Sequence, residues 1–224
     1  MHIPDGLLDA RTLAGAAVLS AAALGAGAAS ARQNLGERRV PFLGVLAAFI
    51  FAAQMINFPV AGGTSGHFLG AALAAFACGP GAASVVMAAV LVVQCLLFAD
   101  GGLLALGANI LNMAVVAPWT AWMLHRAISA LPVPAGVTAS RVARGAAVFI
   151  AAWASVVVAA GFAAGQLALA GAAPLGLVMP AMLFWHALIG VGEGAITAVA
   201  LAYVRGLRRP ARAGVVATRE GGDE

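Results

Sequence analysis

VPFLGVLAAFIFAAQMINFPVAGGTSGHFLGAALAAFACGPGAASVVMAAVLVVQCLLFA, residues 40–99, runs for sixty positions without an Asp, Glu, Lys or Arg. As one α-helix it would extend about 90 Å at 1.5 Å per residue, against about 30 Å of hydrocarbon in a bilayer. The run therefore breaks. The breakers lie within it, at Ala61-Gly62-Gly63-Thr64-Ser65-Gly66 and Gly79-Pro80-Gly81. Three apolar segments result, near 41–60, 67–79 and 82–99. The middle one is short enough to be re-entrant.

The same character extends in both directions. Thr12 to Ala31 is a further uncharged stretch, rich in Ala and Gly, in which Ala17, Ala21, Gly25 and Ala29 recur every fourth residue as a seam for close helix packing. Downstream, 103–124, 146–169 and 181–204 each have the length of a span. A charge-free Gly/Pro linker covers 170–180, and the turn Asp100-Gly101-Gly102 precedes 103. Of the 224 residues, 63% are hydrophobic and 9% charged, and mean hydropathy is +1.01. Soluble domains carry about 25% charged residues, so a soluble fold is excluded. The fold class expected is an all-α membrane protein with seven transmembrane helices. Residues 1–11 form an N-terminal hook, 12–204 the membrane domain, and 205–224 a polar, Arg-rich, unstructured tail. No basic region precedes the first apolar run, so it does not read as a cleaved signal. Cys78 and Cys95 lie in apolar runs and read as small buried hydrophobes.

All twelve basic residues are Arg. With seven spans, Arg32, Arg38, Arg39, Arg126, Arg141, Arg144 and the five arginines of the tail fall on one membrane side, and Arg11 alone on the other. The positive-inside rule places the first set in the cytoplasm, with the N-terminus outside. If 67–79 did not cross, Arg126 and Arg144 would sort outward, so it is counted as a span. Basic residues flanking spans account for the high pI without nucleic acid.

The chain opens Met1-His2-Ile3-Pro4-Asp5-Gly6. An α-amine one residue from an imidazole can close a five- and a six-membered chelate ring on one cation, with the His2 backbone nitrogen shared between them. Three nitrogens in a plane suit Ni(II), Cu(II) and Co(II) rather than Mg or Ca. The chelate requires retention of Met1, which the bulk of His2 favours. Pro4-Asp5-Gly6 reads as a turn that folds the terminus back. On the topology above, His67 stands on the same membrane side and supplies a fourth nitrogen. Gln54, Asn57, Gln94, Asn109, Asn112 and His186 also gather toward that side. Thr64 or Ser65 can cap the helix beginning near His67. Intramembrane polar groups often mark a substrate site, although each Asn or Gln singly is as well explained by helix–helix hydrogen bonding. His186 and Glu193, seven residues apart, read as a buried hydrogen-bonded pair.

Taken together, Met1 to Gly6, Asn57-Phe58-Pro59-Val60, Gly62-Gly63-Thr64-Ser65-Gly66-His67, Gly107-Ala108-Asn109-Ile110-Leu111-Asn112-Met113 and His186-Ala187-Leu188-Ile189-Gly190 with Glu193-Gly194 resemble the CbiM/NikM family, and lie closer to CbiM. These are substrate-capture (S) components of energy-coupling-factor transporters for cobalt and nickel. The resemblance implies a six-helix bundle plus an extra N-terminal helix. The metal ligands it implies are the Met1 amine, the His2 amide and imidazole, and the His67 imidazole. It implies Co(II) or Ni(II) as transported substrate, with no resident cofactor, and supply of cobalamin biosynthesis. The partners implied are a coupling transmembrane (T) subunit, a cytoplasmic ATPase pair and a small accessory membrane subunit, in a bacterial inner membrane. Gln54, Asn57, Thr64, Ser65, Asn109, Asn112 and His186 are candidates for orienting the ligands.

Enzymatic readings find little purchase. A P-loop needs a Lys that this chain lacks, and a zinc protease needs His-Glu-x-x-His, which does not occur. ATP hydrolysis is therefore expected in partner subunits. A self-contained carrier or channel would show paired repeats with broken helices; the alternative stays open beside a nickel-specific S component.

Overall fold

A computed structural model describes residues 1–34, 36, 39–60, 64–132 and 136–207. Its elements are α1 (Ala10–Asn34), α2 (Val40–Gln54), β1 (Asn57–Val60), β2 (Thr64–His67), α3 (Ala71–Cys78), α4 (Pro80–Phe98), α5 (Leu106–Ile110), a π-helical turn (Leu111–Val116), α6 (Ala117–Ser129), α7 (Val137–Leu169) and α8 (Leu175–Leu207). Because α5, the π turn and α6 run on without a break, the described residues form seven helical rods. Four stretches are long and apolar enough to cross a membrane: Ala10–Gln33, Pro80–Phe98, Ser140–Leu169 and Leu175–Val204.

The sixty-residue apolar run breaks at Gly79 as expected, but its first break comes earlier than the expected Ala61–Gly66 stretch, and the pieces are not three spans. Helix α2 stops at Gln54, and β1 and β2 pair antiparallel with Asn57 opposite His67 and Val60 opposite Thr64. The expected 67–79 span is an eight-residue helix, about 12 Å long at 1.5 Å per residue and too short to cross. Gly79, at φ 84°, ends α3 and starts α4, with Pro80 in the first turn where its missing N–H costs nothing. Near the C-terminus, Pro180 sits inside α8 and not in a linker. Two helices also extend beyond the expected bounds: α6 runs to Ser129 and α7 starts at Val137. The Arg-rich tail beyond Leu207 lies outside the described residues.

Helix α1 packs through small residues, but not on the expected seam. Ala16, Ser20 and Gly27 are buried, whereas Ala17, Ala21, Gly25 and Ala29 are exposed, Ala17 abutting Gly107 of α5. A Cβ on Gly81 would stand 2.8 Å from the Gly27 carbonyl oxygen, so α1 and α4 cross glycine on glycine. Ser20 Oγ donates to the Gly107 carbonyl at 2.6 Å. These contacts hold α1 against α4 and α5 and deliver the first nine residues to one end of the bundle. There Met1, His2 and Ile3 are buried. Cys78 and Cys95 are free and half-buried.

Candidate metal centre

The hook is fixed by main-chain bonds that read its backbone. Ile3 N–H donates to Asn109 Oδ1 at 2.8 Å and Asn109 Nδ2 returns a bond to the Ile3 carbonyl at 3.0 Å, as a paired strand would. Gly102 N–H donates to the same carbonyl at 2.9 Å. Asp5 accepts from the backbone N–H groups of Leu103, Leu104 and Ala105, at 3.0, 2.8 and 3.1 Å, and so caps the start of α5. Gly102 must be glycine for this, since a Cβ there would collide with Asp5.

Held in this way, the first two nitrogens of the chain converge. The Met1 amine and the His2 amide both donate to Ser65 Oγ, at 2.9 and 3.3 Å. The His2 and His67 rings stack, with centroids 4.7 Å apart and planes at 30°. Each ring is oriented from its far side. His2 Nε2 faces the Gln94 amide oxygen at 3.2 Å, and an amide oxygen can only accept, so Nε2 carries the proton and Nδ1 the lone pair. His67 Nδ1 likewise donates to the Phe68 carbonyl at 2.8 Å. Its Nε2 is left as a buried lone pair with no hydrogen-bond partner among the described residues. Metal-binding histidines are commonly fixed by such outer bonds.

Burial pulls the Met1 amine well below its ordinary range, against a smaller upward pull from Asp100. It pulls His2 down to about 3, helped by the neighbouring positive amine and opposed by the Gln94 bond. Both groups are thus favoured as neutral nitrogens, the form a cation needs. Asp100 is raised by burial and held back by the same amine.

The loop after His67 is gripped from two sides. Gln54 Nε2 donates to the Leu69 carbonyl at 2.6 Å, and the two oxygens of Glu193 accept from Leu69 and Gly70 N–H at 2.7 and 2.8 Å. The turn into α3 is therefore held by a carboxylate from α8, and Ser65 Oγ, expected as a cap, instead accepts from the hook; the Thr64 side chain lies outside the described residues. His186 and Glu193 are not paired. His186 Nδ1 donates to the Met182 carbonyl at 2.8 Å, and the ring also lies against the Ser65 backbone. Its ring remains within electrostatic range of His67 and the Met1 amine.

Of the sequence candidates, Met1, His2, His67 and Ser65 come together, with Asn109 beneath the hook and Gln54 beneath the loop. Asn57 reaches the site through Asp100, whose Oδ2 accepts from Asn57 Nδ2 at 3.2 Å. Asn112 does not take part; its amide exchanges two bonds with Gln166 at 2.8 and 3.0 Å, the helix–helix alternative. Sequence reasoning missed Asp5 and Asp100 as site residues and left Gln94 unassigned. Asp100 carried one signal, as the first charge after the apolar run. No cluster of three or more His, Cys, Asp or Glu side chains at ligating distance occurs among the described residues, because here main-chain nitrogens take the place of side chains.

A protein-family model described as "Cobalt uptake substrate-specific transmembrane region" (CbiM) matches residues 2–211. The chain is 43% identical over 210 residues to a putative fused nickel transport protein, NikMN, of Archaeoglobus fulgidus, covering 93% of this chain and 66% of that protein. It thus spans just under two-thirds of that relative's length. Identity is 39% to a putative metal transport protein of Haloquadratum walsbyi, over 93% of this chain and 91% of the relative. It is also 39% to the cobalt transport protein CbiM 1 of Pelobacter propionicus, over 61% and 62%. The crystal structure of a transition metal transporter superposes with a TM-score of 0.83 at 32% identity, covering 92% of this chain and 93% of that one.

Proposed function

Since the chain belongs to the CbiM family of cobalt and nickel transport proteins, we propose that it captures Co(II) or Ni(II) as the S component of an ATP-driven energy-coupling-factor transporter. The ion is held by the Met1 amine, the His2 amide nitrogen and Nδ1, and His67 Nε2. The observation that carries this reading is the convergence of the two main-chain nitrogens on a single Ser65 hydroxyl beside a buried, lone-pair-bearing His67 nitrogen. A cation arriving there exchanges its water for nitrogen ligands, and the His2 amide proton leaves to solvent.

The wider arrangement follows the resemblance: a multi-pass helical bundle with the hook outside, a T subunit, a cytoplasmic ATPase pair and an accessory subunit, in the inner membrane. We take cobalt as the substrate, matching the family description. Nickel is the second reading, favoured by four nitrogens in the affinity order of the divalent ions and by the printed name of the Archaeoglobus relative. Metal analysis and equilibrium dialysis on the purified protein, beside a His2→Ala variant, test the chelate. The substitution removes the imidazole and with it the six-membered ring, and stoichiometric metal should be lost. Retained affinity with an unchanged absorption spectrum would sink the proposal, and competition between Co(II) and Ni(II) in the same assay assigns the substrate.

A further inference from the structure

Charge does not balance in the site as drawn so far. A divalent ion bound by a neutral amine, two neutral imidazoles and one deprotonated amide keeps one net positive charge, buried beneath Met1 and His2. An uncompensated buried charge is costly, so a counter-charge is required close by. Four carboxylates occur among the described residues. Asp5 spends its oxygens on the N–H groups of residues 103–105, and Glu193 on those of residues 69 and 70. Asp9 caps α1 at the surface, accepting from Thr12 N–H.

Asp100 is the fourth. Its Oδ1 lies 3.4 Å from His2 Nδ1, the chelating nitrogen, and the side chain is 16% exposed. The backbone is bent to put it there. Ala99, at φ 52° the non-glycine residue with positive φ among the described residues, turns the end of α4 so that Asp100 N–H bonds back to the Gln94 carbonyl at 3.1 Å. Left-handed backbone at a non-glycine residue is costly and persists where its surroundings enforce it. Asn57 holds Oδ2, leaving Oδ1 toward the nitrogens.

We infer that Asp100 is the counter-ion of the captured cation: a carboxylate outside the four-nitrogen set that cancels its remaining charge. This rests on the ligand set proposed above. It makes Asp100 a positioning and charge-balancing residue, not a fifth ligand.

The test uses the full-length protein in detergent, with Ni(II) and Co(II) affinities measured by competition against a chromogenic chelator. Asp100→Asn keeps the shape and the Asn57 contact. It should weaken both ions about 10- to 100-fold, the range for lost outer partners, with the ligand-field bands unmoved. Adding Asn57→Asp to that variant returns a negative charge 3.2 Å away and should recover most of the affinity. A purely structural role would not be rescued by moving the charge. Unmetallated thermal melting checks folding, and Asp100→Glu provides a second variant if Asn misfolds. Wild-type affinity in Asp100→Asn, or no recovery in the double variant, overturns the inference, and a band shift overturns it in favour of direct ligation. Failure of the ligand set itself would look different: His67→Ala would then bind like wild type.

Discussion

Met1 and His2 expose their pH behaviour through their burial. The docked His2 titrates near 3 against an ordinary 6.5, so between those values the undocked hook binds a proton that the docked one refuses. The Met1 amine, ordinarily 8.0, is shifted in the same direction. Stability rises with pH wherever the open form holds more protons. Docking is therefore firmest above pH 8 and weakens as pH falls through 8 and then 6.5. In the metal-free protein, hydrogen exchange over residues 1–6, corrected for intrinsic rates, should speed up from pH 8 to pH 5 relative to α7; a flat ratio counts against this. Glu193 gives a second expectation. Truncation to Ala strands two buried N–H groups at about 1–3 kcal/mol each, so Glu193→Ala should melt several degrees lower, and Glu193→Gln, which still offers one acceptor, less so. The nitrogen donors were legible in the sequence because chelate rings are set by covalent spacing. Their orienting partners were not, because Gln94, Asp100 and Glu193 reach the site from turns and helices whose rotation a sequence does not give.

Helices α1 and α4 touch where neither has a side chain. Gly81→Leu should force them apart, since even a Cβ meets backbone. The expected result is a lower melting temperature together with weaker metal binding, because α1 carries the hook. Gly36→Ala, with nothing within 4 Å of the added carbon, should change neither. At this scale the sequence was clear about where helices stop, as Gly79 illustrates, and wrong about which face of α1 packs. Ala and Gly cover so much of that helix that several stripes look equally flat. The β-hairpin was hidden for a related reason. Phe58-Pro59-Val60 continues an apolar run, and apolar runs of a few residues read alike as helix or strand. The pairing of Asn57 with His67 is a long-range register that the composition of the run does not encode.

As a whole, the chain is a member of the CbiM family, and the proposed S-component role predicts that uptake needs partner proteins. Reconstituted alone in vesicles, it should accumulate no Co(II) beyond its binding stoichiometry. Adding the coupling subunit, the ATPases and ATP should start uptake; ATP-independent accumulation by the chain alone would favour the carrier reading. The all-α membrane character was visible from hydropathy, whereas the short α3 was not, since counting arginines balances sides without measuring thickness. Between α2 and α8 lies a crevice of about 320 Å³ lined by Phe49, Ile56, Phe58, His67, Phe68 and Ile189 among others. The strip from His67 to Gly70 is tethered across it, to Gln54 on one bank and Glu193 on the other. A footbridge so moored cannot stay level if its banks drift. Any distant force that spreads those two rods must tilt the imidazole off its perch, and cargo can be let go without anything reaching in to touch it.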